Sequence, residues 1–286
     1  MLDFTVDGLT ISLVLLAALL HASWNALTKA GGDPLISITI ISATGGVCAI
    51  PLLLLSPLPD AETWRWLLVS ACIHYVYQLS LVRIYRLGDL SQVYPIARGL
   101  APLGVATLAA IGAGERLQPG QLAGLACASI AIVSLGTSRS PGRSRRHAVG
   151  AALVTAALIG AYTYTDGRGV RSVESPEHFI GWSFVLAAVP LVATTIRIRR
   201  AAGLGPWRRL GVPAVVGGLM ATGGYAIALW AMSRAPMATV AALRESSVLF
   251  AAVIGTLWLG ESFGLRRVLS ALLLVVGLFL VQVRWG

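Results

Sequence analysis

Residues 91–114 read SQVYPIARGLAPLGVATLAAIGAG. From Leu90 to Gly114 the one charged residue is Arg98. A helix of about 20 apolar residues crosses the hydrocarbon of a bilayer, so this stretch is long enough to span one. A guanidinium is always charged and is expensive in hydrocarbon, so Arg98 must face a partner or a wet interior. Pro102 sharpens this. A proline inside a helix removes the hydrogen bond to the carbonyl four residues back, which here belongs to Arg98 itself. The sequence predicts a kink there, with a freed polar group beside the charge. Pro95 frees the carbonyl of Ser91 in the same way.

The rest of the chain supports the membrane reading. Of 286 residues, 56% are hydrophobic and 12% charged, with a mean hydropathy of +0.79. A soluble domain carries about 25% charge. Ten spans are expected at roughly 9–29, 36–55, 64–86, 90–112, 119–137, 148–167, 177–197, 211–233, 237–259 and 264–284. The loops between them are short. The longest polar stretch, TSRSPGRSRRH at 137–147, divides the chain into halves of five spans each. The expected organisation is a first five-helix unit at 1–137, a basic connector at 138–147 and a second unit at 148–286. The partner this composition calls for is the lipid bilayer. The net charge of +10 does not indicate nucleic acid, because the basic residues sit in short loops between apolar runs. Cys48, Cys72 and Cys127 lie inside apolar runs, so neither a disulfide framework nor a metal site is expected.

Basic residues are biased to one side. Loops 1–2, 3–4, 5–6, 7–8 and 9–10 hold fourteen, and the opposite side holds six. Basic loops face the cytoplasm, which puts both termini on the periplasmic side of a bacterial inner membrane.

The remaining two arginines, Arg98 and Arg244, lie inside spans, and their surroundings match. Arg98 is followed seventeen residues later by Glu115, and Arg244 seventeen residues later by Glu261. Each glutamate ends a Gly-containing turn, GAGE or LWLGE, that leads into the last span of its half. An odd number of spans per half means that the second copy enters the membrane from the opposite side. The expected fold class is therefore an all-α polytopic membrane protein: ten transmembrane helices as two inverted five-helix repeats around a central cavity. Secondary transporters built this way bind substrate near the midplane. GQLAG at 120–124 is a G-x-x-x-G that lets two helices approach closely.

LLHASWNALTKAGGDP, YRLGDLSQVYPIARGLAPL, GERL with LAGLACASIAIVSLG, and VAALRESSVLFAAVIGTLWLGE together resemble the EamA branch of the drug/metabolite transporter superfamily. The resemblance runs over essentially the whole chain. It implies ten helices in two EamA-like repeats and alternating-access movement of small metabolites, often export. It also implies cytoplasmic termini, against the charge bias above.

Arg98 and Arg244 are the leading substrate-binding candidates, because the planar guanidinium donates two parallel hydrogen bonds to carboxylate or phosphate. The competing reading is a structural ion pair: Arg98 with an acid on another helix, Arg244 with Glu245 or Asp166. Adjacent helical residues do not face each other, so Glu245 needs a partner other than Arg244, or a proton. Glu245 and Asp166 are the candidates for proton coupling. Trp24, Asn25, His74, Gln78, Tyr94 and Tyr225 complete the candidate wall of the cavity. His74 and Gln78 share a helix face, and Tyr94 lies four residues before Arg98. Glu115 and Glu261 are expected to accept backbone N–H groups at the starts of spans 5 and 10.

The expected function is secondary active transport of a small polar metabolite, anionic or zwitterionic, by a monomer or dimer. Partners are the substrate and protons; no cofactor and no catalytic residue is expected. The alternatives are an intramembrane enzyme and a membrane scaffold. G-x-x-x-x-G-K-[ST], H-E-x-x-H and G-x-S-x-G are all absent.

Overall fold

The computed structural model describes residues 7–29, 33–87, 90–136, 143–199, 205–259 and 265–282, without side chains near several segment ends. The described residues form eleven α-helices and no strand. They are α1 (Gly8–Lys29), α2 (Pro34–Leu55), α3 (Ala61–Leu87), α4 (Leu90–Gly112), α5 (Pro119–Gly136) and α6 (Arg143–Arg171). They continue with α7 (Pro176–Arg199), α8 (Gly205–Met232), α9 (Met237–Arg244), α10 (Ser247–Leu259) and α11 (Leu265–Gln282). Seven are long and apolar enough to cross a membrane; α5 and α11 carry shorter apolar stretches.

Local chemistry sets the helix ends. The Asp33 side chain accepts from the amides of Leu35 and Ile36 at 3.0 and 3.4 Å, and Pro34 opens α2 at a position where no N–H is needed. Asp7 and Asp60 accept from Thr10 and Thr63 at 2.7 and 2.8 Å. Those hydrogen bonds hold both carboxyls below the usual range. α4 ends at a turn where Gly114 has φ +67°, a left-handed conformation that favours glycine.

The packing is inside out relative to a soluble bundle. Large apolar side chains such as Leu54, Ile111 and Phe279 are 81%, 81% and 66% exposed, which suits a lipid-facing surface. Hydroxyl pairs join helices within the bundle. Thr39 meets Thr195 between α2 and α7, Ser80 meets Thr155 between α3 and α6, and Ser134 meets Ser270 between α5 and α11, each at 2.7 Å. Such interhelical bonds supply specificity where lipid gives no hydrophobic drive.

The helix pairings follow a pattern. α1 packs on α8 as α3 packs on α6; α2 packs on α8 as α7 packs on α3; α2 lies against α7 and α5 against α11. The last pair is antiparallel, because Gln121 donates to the Val281 carbonyl while Ser134 meets Ser270. Its closest approach is at Gly124 and Gly277. A Cβ on Gly124 would stand 2.6 Å from the Gly277 carbonyl oxygen, and one on Gly277 would stand 2.6 Å from the Ala128 amide. The GQLAG stretch thus provides, through Gly124, one half of a backbone contact.

One end of the bundle is tied by Arg171, at the end of α6. Its guanidinium donates to the carbonyls of Met232 and Ala235 and to Glu115 Oε1, all at 2.7 Å. Glu115 also accepts from the Met237 amide, 3.0 Å from Oε2. Glu115 therefore serves the start of α9, not that of α5 as its position in the sequence suggests. The cause is spatial: the α4–α5 turn and the α8–α9 turn lie side by side. Glu261 lies outside the described residues. Arg171→Met should cost about 2 kcal/mol, since charged hydrogen bonds are worth about 1.5–3 kcal/mol and this site is partly exposed. Thermal unfolding of the detergent-solubilised chain reads it, and an unchanged midpoint counts against the tie.

Candidate functional site

A kink is expected at Pro102; a full break in a helix is found elsewhere. α4 runs as one helix from Leu90 to Gly112 through both prolines. The break comes in the second half, between α9 and α10. There the amides of Glu245 and Ser246 bond only three residues back, to Ala242 and Leu243, at 2.9 and 3.1 Å. The sequence at the break is Arg244-Glu245-Ser246-Ser247, and serine competes locally for backbone partners. Arg244 closes α9, where a cation suits the negative end of the helix dipole.

Glu245 finds its partner on α4. Arg98 Nη2 lies 2.7 Å from Glu245 Oε1, with both side chains under 5% exposed. The pair forms because α4 and α9 run antiparallel: Val105, seven residues after Arg98, packs near Met237, eight residues before Glu245. Of the two arginines, only Arg244 faces open space. Among the described residues its guanidinium makes no ion pair. It lies over the Tyr225 ring, 5.1 Å from the centroid, within cation–π range.

That space is a cavity of about 140 Å³. Its wall includes the aromatic rings of Trp24, Tyr77, Tyr162, Phe184 and Tyr225, and among the described residues Arg244 is its one lining arginine. His21, His74, Gln78, Ser42 and Thr222 add polar groups, and among the described residues no acid lines it. Gln78 Nε2 donates to Ser42 Oγ at 3.1 Å. Trp24 Nε1 donates to His21 Nδ1 at 3.3 Å, which holds that nitrogen unprotonated.

Behind the wall lies Asp166, with none of its surface exposed. Its carboxylate accepts from the Ser70 hydroxyl, from the Tyr225 hydroxyl at 2.5 Å, and is 2.9 Å from His74 Nε2. His74 stacks on Tyr162 with centroids 4.2 Å apart. Tyr225 therefore touches both charges, its ring under Arg244 and its hydroxyl on Asp166.

Of the residues singled out in the sequence, Trp24, His74, Gln78, Tyr225 and Arg244 share this cavity. Arg98 and Asn25 do not line it. Arg98 is turned to Glu245, and the Asn25 amide donates to the His21 carbonyl at 2.7 Å. The Tyr94 side chain lies outside the described residues. Asp166 pairs with neither Arg244 nor the neighbouring Arg168. Ser70 was missed, yet the pattern was readable: Ser70, His74 and Gln78 recur every four residues and mark one polar face of α3.

Residues 148–283 match the EamA-like transporter family. Over 72 residues the chain is 38% identical to a WAT1-related protein of Arabidopsis thaliana, a match covering 25% of this chain and 20% of that protein. The match thus spans about a fifth of that relative's length. A solved crystal structure has the same fold, with a TM-score of 0.73 at 17% identity, over 96% of this chain and 99% of the other.

Proposed function

From a chain whose residues 148–283 match the EamA-like transporter family, we propose a secondary active transporter of that family that moves a small organic anion by alternating access. The observation that carries this is Arg244. A buried cation with no ion pair among the described residues faces an aromatic cavity at a break in a helix. Broken helices at the midplane are where inverted-repeat transporters bind substrate. Among the described residues no acid lines the cavity, which favours a net anion over a zwitterion, whose ammonium would lack a carboxylate. Arg98 then serves the site indirectly, by holding Glu245 away from Arg244.

In this reading α9 and α10 form one interrupted crossing, which with the other nine helices gives ten. The mirrored pairings, α1 on α8 with α3 on α6 and α2 on α8 with α7 on α3, support two inverted five-helix repeats. The protein sits in the bacterial inner membrane with periplasmic termini, supported by the bias of basic loops. Export is the direction that the family resemblance implies, and the prevailing gradients set it in any one condition.

The test is anion binding by the full chain in lipid nanodiscs, with benzoate, a flat monocarboxylate, as first probe and a panel of organic anions after it. Arg244→Gln should weaken binding about 30- to 100-fold, the loss of one charge-assisted contact worth about 2–3 kcal/mol. Ligand-free melting of the same variant checks that it is folded where binding is measured. Equal affinity in parent and variant would remove Arg244 from the site.

A further inference from the structure

Four charged side chains are buried among the described residues: Arg98, Asp166, Arg244 and Glu245. Arg98 and Glu245 cancel in a direct ion pair. Arg244 and Asp166 do not touch; Tyr225 separates them, with its ring on one and its hydroxyl on the other. Counted by formal charge, the arginine and the aspartate make the empty centre sum to zero. An anion docked on Arg244 would leave a net negative charge in a poorly solvated interior, which is costly. One proton added at Asp166 or His74 restores neutrality.

We propose that the cluster of Ser70, His74, Asp166 and Tyr225 is a proton site that fills together with the anion on Arg244, so that one proton travels with each monoanion and transport is electroneutral. The proposal rests on the reading of Arg244 as the anion site. Co-binding makes the carrier a symporter. It runs inward under an inward proton gradient, and outward when the anion's own outward gradient is the larger.

The choice of this cluster over Glu245 follows from the partners. Protonating Glu245 would strand the permanent charge of Arg98. Asp166 is bonded to two neutral hydroxyls and one imidazole, and none of these is a fixed cation. The imidazole and carboxyl are in direct contact, so one proton added to the pair gives the same net charge whether it sits on ring or carboxylate. His74 also lines the cavity, which gives the proton the same route in as the anion.

The titratable groups around the cluster are few. α3 brings His74 and Tyr77, α6 itself brings Tyr162, α8 brings Tyr225 and α9 brings Arg244. One layer out lie the Arg98–Glu245 pair and, across the cavity, His21. The lining residues from α2 and α7 do not titrate.

The experiment uses the full chain in nanodiscs and two readouts. In the first, benzoate binding is followed in weak buffer with a pH dye. About one proton should be taken up per benzoate at pH above the cluster's titration, and affinity should fall about tenfold per pH unit there. Asp166→Asn, which mimics the neutral carboxyl, should bind with an affinity independent of pH and take up no proton. Benzoate binding without proton uptake in the parent overturns the proposal. Failure of benzoate and the wider anion panel to bind at all is a failure of the Arg244 reading instead. The second readout needs no ligand. Infrared difference spectra across a pH titration should show a protonated carboxyl or imidazolium signal that Asp166→Asn and His74→Gln remove. Its absence from the parent overturns the proton site on its own.

Discussion

Arg98→Met should destabilise the folded chain by about 3–5 kcal/mol, and adding Glu245→Leu should recover most of that loss. The reason is an asymmetry in buried ion pairs. Desolvation of the two charges roughly offsets their attraction, so the intact pair adds little. Removing one partner leaves the other buried without the attraction that offsets its desolvation. Glu245 is 3% exposed, and its second oxygen, Oε2, has no hydrogen-bond partner among the described residues. With Arg98 gone, the carboxylate would have to take up a proton or drag water into the bundle. Unfolding of both variants in mixed micelles, read against the parent, gives the cycle. A double variant no more stable than Arg98→Met alone would dissolve the pairing.

Gly277→Leu should cost about 3 kcal/mol or more, at or beyond the upper end of what overpacking exacts. The first side-chain carbon would stand 2.6 Å from the Ala128 amide and 2.7 Å from the Gly124 carbonyl oxygen. These are backbone atoms of a helix and cannot turn aside as a flexible side chain does. α5 and α11 would have to separate, and the Ser134–Ser270 and Gln121–Val281 bonds would go with them. Gly150→Leu in α6 is the control, since nothing stands within 4 Å of its position. It should lie within about 0.5 kcal/mol of the parent. If both variants melt alike and elute alike on size exclusion, α5 and α11 are not in backbone contact.

Hydropathy made the helices legible, with ends up to about six residues off at α6 and α8. The expected span at 237–259 coincides with α9 and α10 together. The break inside it was not anticipated, because proline is the loud signal in a sequence and a run of polar residues the quiet one. α4 keeps its two prolines within a continuous helix, whereas Arg-Glu-Ser-Ser interrupts its counterpart with no proline near. The site divides in the same way. Single-helix periodicity pointed to His74 and Gln78, and the cost of a charge in lipid pointed to Arg98 and Arg244. Which arginine faces the cavity depends on how α4 and α9 pass each other, and no one-dimensional pattern carries that. Tyr225 shows the limit most clearly. Nothing in GGYAIALW announces a tyrosine that touches a cation with its face and a carboxylate with its hydroxyl.

The tie between Arg98 and Glu245 also dates the two halves of the molecule. Ribosomes add about 5–20 residues per second, so a partner roughly 150 residues downstream emerges about 7–30 seconds later. For that interval the nascent first half holds an arginine in the membrane without its acid. The segment that ends the wait is itself a poor candidate for insertion. Arg244 and Glu245 are adjacent about a third of the way along it, and a charge costs up to about 2.5–3.5 kcal/mol on the insertion scale, most at a helix centre. Each half thus carries a charge that only the other can settle, which makes the early helices a template for the late ones. A chain cut after α5 would be left with its arginine and no acid to meet it.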